Sequence, residues 1–249
     1  MKVLLFISIA TLAAVCGKVP DYIPKCKKSD PQIEQCLTEA IESMKPKLKN
    51  GIPELNIPAL DPFAVPTLKL DRTASNLRLK AVIKNAKAYG GSNFRIEKVK
   101  VNLNNKYLAE VKLQIPKLIV TGDYDVLGSR ILTADINGKG VMKGNITGVS
   151  VVAKGRAKPV VRDGVEYLQA EKVVTKLKIK NAQISLTDSE RPAAALSAAT
   201  FFNASPGIVL DILNPLIEET VAAVLKPFIN KVLGTIPLNE IFVDAAPPS

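Results

Sequence analysis

Few side chains in this chain could do chemistry, and their types narrow it quickly. Asp123 and Asp125 form an Asp-x-Asp pair and Glu218-Glu219 a carboxylate doublet, arrangements that elsewhere hold calcium or divide acid and base roles. Neither is completed by its neighbours. The other ligands of a calcium loop do not follow Asp125, and adjacent residues of a helix point in different directions. The chain contains no His, which removes Ser-His-Asp and Cys-His catalysis, His-ligated zinc and the usual near-neutral proton shuttle. Gly-x-Ser-x-Gly and the glycine-rich phosphate loop are also absent from the sequence. The expectation is therefore a binding protein rather than an enzyme, with no cofactor and no metal.

The three cysteines take their meaning from the first residues. Met1 and Lys2 precede an apolar run over residues 3–15, and Ala14, Cys16 and Gly17 offer a small-residue cleavage site. This reads as a secretory signal peptide over 1–17, the alternative being a signal anchor, for which the run is short. Residues 18–249 would then form the mature, extracellular chain as a single ligand-binding domain. Cleavage leaves Cys26 and Cys36, a close pair that in an oxidising compartment is most simply one disulfide; a metal site would need two further ligands. Secretion also makes Asn145-Ile146-Thr147 a glycosylation acceptor, whereas Asn203-Ala204-Ser205 is a poorer one because Pro206 follows.

The elements that must position these residues follow from periodicity. Ser29-Asp30-Pro31 starts a helix in which Ile33, Cys36, Leu37, Ala40, Ile41, Met44 and Leu48 share a face; Pro46 should kink or end it and Asn50-Gly51 close it. The proline-punctuated, apolar stretch 52–66 should be extended. From Thr67 to about Leu186 the period becomes two, as in Leu77, Leu79, Ala81 and Ile83, with lysines and arginines on the other face. Gly90-Gly91-Ser92, Asn104-Asn105, Gly128-Ser129, Asn137-Gly138 and Arg162-Asp163-Gly164 read as the turns of an antiparallel meander.

Helical spacing returns after Ser205-Pro206, with Asn214-Pro215 starting or continuing a second segment that closes at Gly234. Asp211, Asn214, Glu218, Glu219, Lys226 and Asn230 fall in one sector, and apolar residues fill the rest. Such a helix must be enveloped, and a curved sheet with one apolar face is the natural envelope: an α+β fold in which an antiparallel sheet wraps a long C-terminal helix. With aromatics at 5%, the Val, Ile, Leu and Ala interior could leave an elongated cavity or could fill solidly.

The chain carries 34 Lys and Arg against 23 Asp and Glu, a formal net charge of +11. Arg78, Lys80, Lys84, Lys98, Lys100, Lys112, Lys176, Lys178 and Lys180 are spread over several strands, which reads as a solvated face. The alternative is a protein that approaches anionic lipid through this face. Nucleic acid is not an expected partner, because no aromatic residues interleave with the basic ones. No later run is apolar enough for a transmembrane segment.

The segment Val19-Pro20-Asp21-Tyr22-Ile23-Pro24-Lys25-Cys26-Lys27-Lys28-Ser29-Asp30, with Cys36 beyond it and Lys49-Asn50-Gly51-Ile52-Pro53-Glu54-Leu55 following, resembles the amino-terminal motif of the insect takeout and juvenile-hormone-binding protein family. Gly122-Asp123-Tyr124, Phe202-Asn203, Ile229-Asn230-Lys231 and Ile236-Pro237-Leu238 extend the resemblance along the mature chain. It implies a secreted carrier whose strongly curved sheet and long helix enclose an apolar tunnel, related to lipid-transfer and bactericidal permeability proteins. The haemolymph hormone carriers have a second disulfide that this chain lacks, so it is more similar to the takeout branch, associated with clock-controlled expression and feeding. The implied partner is one small elongated hydrophobic ligand, fatty-acid-like, terpenoid or juvenile-hormone-like, held by a monomer. By apolar phase, the tunnel candidates are Leu213, Leu216, Ile217, Thr220, Val224 and Phe228 on the helix, and Val111, Leu113, Tyr124 and Ile131 on strands.

Overall fold

The computed structural model describes residues 21–55, 57–104 and 107–243. The expected leader, with Cys16, lies outside them. The elements are α1 (Ile33–Asn50), β1 (Phe63–Ala74), β2 (Leu77–Tyr89), β3 (Arg95–Asn102), β4 (Tyr107–Ile131), β5 (Ala134–Arg162), β6 (Val165–Thr187), α2 (Pro192–Ala204), α3 (Pro206–Leu233) and α4 (Leu238–Ile241). One antiparallel sheet runs β1-β2-β4-β5-β6, with β3 pairing the first half of β4 and β2 the second. The sheet curls around α3, which lies chiefly along β6.

Several local expectations need correction. Helix α1 runs through Pro46 to Asn50 and begins at Ile33, after the Asp30 carboxylate has accepted the Gln32 N–H at 2.8 Å in a turn. The stretch 52–66 is not uniformly extended, for Pro53–Leu55 form a 3-10 turn and Phe63 already belongs to β1. Gly128-Ser129 and Asn137-Gly138 lie inside β4 and β5, whose connection is Leu132-Thr133, with Leu132 at φ 55°. The Arg162-Asp163-Gly164 turn does form, with Asp163 and Gly164 both at positive φ. The C-terminal pattern is one helix of 28 residues that absorbs Pro215 and Pro227, and α2 is an additional helix that the periodicity did not reveal. Cys26 and Cys36 are joined in a disulfide that ties the chain before α1 to its first turns.

The strands are long because each changes the parity of its inward residues rather than turning back. Phe63 and Val65 give way to Leu68 and Leu70 on β1, Ile83 to Ala86 on β2, Ile115 to Leu118 on β4, Ile146 to Val149 on β5, and Ile179 to Ala182 on β6. At each switch two consecutive residues leave the inward alternation: Pro66-Thr67, Lys84-Asn85, Pro116-Lys117 and Lys180-Asn181 are exposed, and on β5 a half-buried Thr147 precedes the exposed Gly148. On β2 this is a bulge with Asn85 at φ 52°. On β4, β5 and β6 the pairing register continues unbroken through it. Pro116 falls where β4 has passed β3 and not yet met β2, so its missing donor breaks no ladder on that side. Gly148 stands at φ 63°, and a Cβ there would lie 2.7 Å from Lys180 Cβ.

Helical side chains complete two edges of the sheet. On β3, the Ile96 and Val101 N–H groups donate to Glu42 and Glu34 of α1, each at 3.1 Å. On β6, Asn203 of α2 exchanges two hydrogen bonds of 2.8 Å with Ile184, and Asn230 of α3 accepts from Ala170 N–H at 2.7 Å and donates to its carbonyl at 3.4 Å. Between them, Asn214 donates to the Leu177 carbonyl at 3.1 Å and the Glu218 carboxylate accepts the Leu177 N–H at 2.9 Å. The buried Thr175 hydroxyl donates to the Glu218 carbonyl, and Lys176 reaches the Glu218 carboxylate at 2.8 Å. The polar sector of α3 thus faces an edge strand, and backbone groups that would otherwise be orphaned are satisfied.

Two predictions follow from these contacts. Gly148→Ala should lower stability by about 1–2 kcal/mol, because positive φ and a close neighbour both oppose a side chain, whereas Gly207→Ala, in open space on α3, should be neutral or stabilising; urea midpoints check the sign of each. Burial pushes the Glu218 carboxyl up, but the Lys176 hydrogen bond, the Leu177 N–H and the Lys176 charge more than reverse this, so it titrates below its ordinary value. Its stabilisation is therefore present above the unfolded-state value and lost as pH falls through the folded one. Glu218→Gln should cost about 1 kcal/mol at neutral pH, and the gap to the parent protein should close as acid unfolding curves are taken below about pH 4.

Candidate functional site

Three apolar clusters and the space between them define the interior. Near the start of α3, Val209 packs with Leu77, Ile131, Ala182 and Phe202, with Leu213 against them. Beyond its end, Ile236 packs with Ile23, Ile52, Leu55 and Ile57, with Phe228 and Val232 against them. Leu168, Leu238 and Phe242 form a third cluster with Leu233 and Ile241. The α3 segment between these ends faces a chamber of about 310 Å³.

That chamber is lined by Ile217, Thr220, Val221, Val224 and Leu225 of α3, and by every strand of the main sheet path at or beside its parity switch. Val65 and Leu68 come from β1, Ala86 and Ala88 from β2, Leu118 and Val120 from β4, Ile146 and Val149 from β5, Leu177 and Ile179 from β6. Where two successive residues turn outward, the inward layer lacks a side chain, and the adjacent small Ala86 and Ala88 do not fill the gap. The Thr220 hydroxyl donates to the Leu216 carbonyl at 2.7 Å, so its methyl is left for the interior. Among the described residues, Lys87 is the one charged residue in the lining.

A second, more open space of about 690 Å³ lies between the free edge of β1 and α3. It shares Phe63, Val65, Leu68, Thr220 and Val224 with the chamber as a common wall, and adds Lys69, Asp71, Glu219 and Lys231. Phe63 and Phe228 meet across it edge to face, ring centroids 5.8 Å apart. Arg72 of β1 spans it to Glu219 of α3 at 3.0 Å.

The residues singled out by apolar phase divide among these places. Ile217, Thr220 and Val224 line the chamber, and Leu216, Thr220, Val224 and Phe228 line the outer groove. Leu213 and Ile131 belong to the packed cluster at the start of α3. Val111 borders a separate space of about 140 Å³ beside Ile229 and Leu233, and Leu113 is half-buried without reaching the chamber. Tyr124 is buried, its phenol pushed up by burial and then by the Asp188 carboxylate, and it borders a surface pocket with Asp123 and Asp125 rather than the chamber. The chamber residues of β1, β2, β4, β5 and β6, and Val221 and Leu225 of α3, are not among those the apolar phase singles out; the doublets of outward residues, such as Pro66-Thr67 and Lys180-Asn181, are the signal that marks the strand residues.

Three of the four candidate carboxylates have structural partners. Asp123 accepts from Asn85 at 2.7 Å, while Glu218 and Glu219 point to opposite edges of the sheet, toward β6 and β1. Among the described residues, no group of three or more Cys, Asp or Glu is placed to hold a metal ion, and no helix is long and apolar enough to cross a membrane. Asn145 is exposed within β5, paired between Ile119 and Gln183.

Comparison with known proteins places this architecture. The circadian clock-controlled protein daywake of Drosophila melanogaster is 27% identical over 90% of this chain and 88% of its own length, and that of Drosophila yakuba 25% identical over the same shares. The crystal structure of takeout 1 from Epiphyas postvittana superimposes with a TM-score of 0.73 at 24% identity, covering 88% of this chain and 99% of that one. The model of the haemolymph juvenile hormone binding protein family matches residues 3–243, and the chain therefore belongs to that family, whose members are binding proteins and not enzymes.

Proposed function

We propose that this protein is a secreted carrier that holds one small hydrophobic ligand in the chamber between α3 and the curled sheet. The observation that carries the reading is the chamber itself: a space walled by α3 and all five strands of the main path, with Val, Leu, Ile, Ala and Phe making up the lining apart from Thr220 and Lys87. Its volume, about 310 Å³, has room for on the order of ten water-sized groups. Burial of apolar ligand surface would supply the affinity at roughly 25 cal/mol per Å², and few polar contacts would orient the ligand. A fatty-acid-like, terpenoid or juvenile-hormone-like chain fits these terms. Secretion follows from the leader over residues 1–17, Asn145 is exposed to glycosylation, and residues 18–249 act as one monomeric binding unit. The name of the daywake relatives supports clock-linked expression.

A second reading has one observation in its favour. The register sets Lys98 opposite Lys112 and Val152 opposite Lys176, while Lys154, Lys100 and Lys98 together hold Glu110 below its ordinary pKa, so basic residues of several strands share one face. That face would approach anionic lipid; binding to phosphatidylserine vesicles that vanishes in salt, without ligand uptake, would favour it.

The test of the carrier is Val224→Trp. An indole placed in an empty chamber should abolish saturable binding of a dansylated undecanoic acid, weakening it more than about tenfold, while the unfolding midpoint is kept or raised. In a solid core the same substitution would overpack and cost about 1–3 kcal/mol.

A further inference from the structure

Packed apolar clusters flank the chamber at both ends of α3, yet a carrier must load and unload. We propose that the ligand passes sideways, through the seam between β1 and α3, with β1 as the moving side. This rests on the carrier reading and adds the route.

Three observations converge on that seam. The first is packing elsewhere: the clusters around Val209 and around Ile236 each centre on five side chains no more than a tenth exposed, and opening either would dismantle core. The second is asymmetry of fastening. Toward β6, α3 is tied by Asn214, Glu218 and Asn230 to the backbone at Leu177 and Ala170, with Thr175 adding a buried bond. Toward β1, among the described residues, the polar tie is the Arg72–Glu219 pair, whose side chains are 39% and 60% exposed. An ion pair so exposed is screened by salt and contributes little. Among the described residues, the edge of β1 has none of the helical carboxylates and amides that complete β3 and β6.

The third is continuity. The outer groove and the chamber are separated by shared residues alone, Phe63, Val65, Leu68, Thr220 and Val224, so displacing β1 would merge the two spaces. The seam has a contact at each end: the Phe63–Phe228 ring pair and the Arg72–Glu219 ion pair. Swinging β1 away costs mainly these two contacts and a few apolar ones, while its pairing with β2 stays intact.

The experiment locks the seam reversibly. In the mature chain, Arg72→Cys with Glu219→Cys would be joined by a short bis-methanethiosulfonate bridge that a mild reductant removes. A control pair, Val174→Cys with Ala222→Cys, bridges the groove on the β6 side, which is already fixed. Stopped-flow mixing with dansylated undecanoic acid reads entry and release. The proposal expects the β1 bridge to slow both at least about tenfold, removal to restore them, and the control bridge to leave them unchanged. Arg72→Gln should instead speed both rates severalfold with little change in their ratio. Unchanged rates with the β1 bridge in place, in protein that still binds the probe, overturn the route while leaving the carrier reading standing. Failure of the unbridged protein to bind either the probe or undecanoic acid itself overturns the carrier reading and the route with it.

Discussion

A sheet that wraps one helix must bend without losing its ladder, and in this protein that bend is made by exchanging the parity of inward residues on each strand of the main path. A left-handed Gly148, a left-handed Asn85 in a bulge, and prolines at 66 and 116 each let two successive side chains face outward. The exchange has a second effect, because the inward layer is thinned where it occurs. The chamber lies there, ringed by Val65, Leu68, Ala86, Leu118, Ile146, Val149 and Ile179. Curvature and cavity thus share one cause, to which the small Ala86 and Ala88 add by leaving the gap unfilled.

The helix supplies the remaining wall, and its polar residues decide how firmly. Placed against β6, Asn214, Glu218 and Asn230 turn an exposed strand edge into a bonded one, so the sector that would ordinarily face solvent is used for attachment. The opposite edge has an aromatic contact and an exposed ion pair in place of such bonds. A domain fastened in this way has a rigid side and a side of lower local stability, which suits an interior that must exchange its contents.

The helices at the two ends of the chain, the antiparallel meander and the Cys26–Cys36 disulfide were legible in the sequence, because helical and twofold periods are strong signals where one face is buried. Strand lengths were not. A period-two reading stops when parity changes, so Gly128-Ser129 and Asn137-Gly138 read as turns, although they flank a bulge beyond which β4 and β5 resume their pairing. Helix α2 escaped because its run of alanines has little amphipathic contrast. Of the chamber lining, the phase of α3 singles out Ile217, Thr220 and Val224, whereas Leu213 and Ile131 share that apolar character and lie in packed core. Apolar phase separates inside from outside; it does not separate filled space from empty. Glu218-Glu219 shows the converse, a doublet resembling a catalytic pair whose members fasten one helix to two strand edges.

The central claim is that the parity switches leave a chamber which a hydrophobic molecule occupies. Native mass spectrometry of the protein purified from a eukaryotic secretion host, before any delipidation, tests it most directly. The account predicts an excess mass of one small molecule per chain, released by organic extraction and identifiable as an apolar chain compound. Protein that arrives at its bare mass, and stays there after incubation with fatty acids and terpenoids, would contradict it.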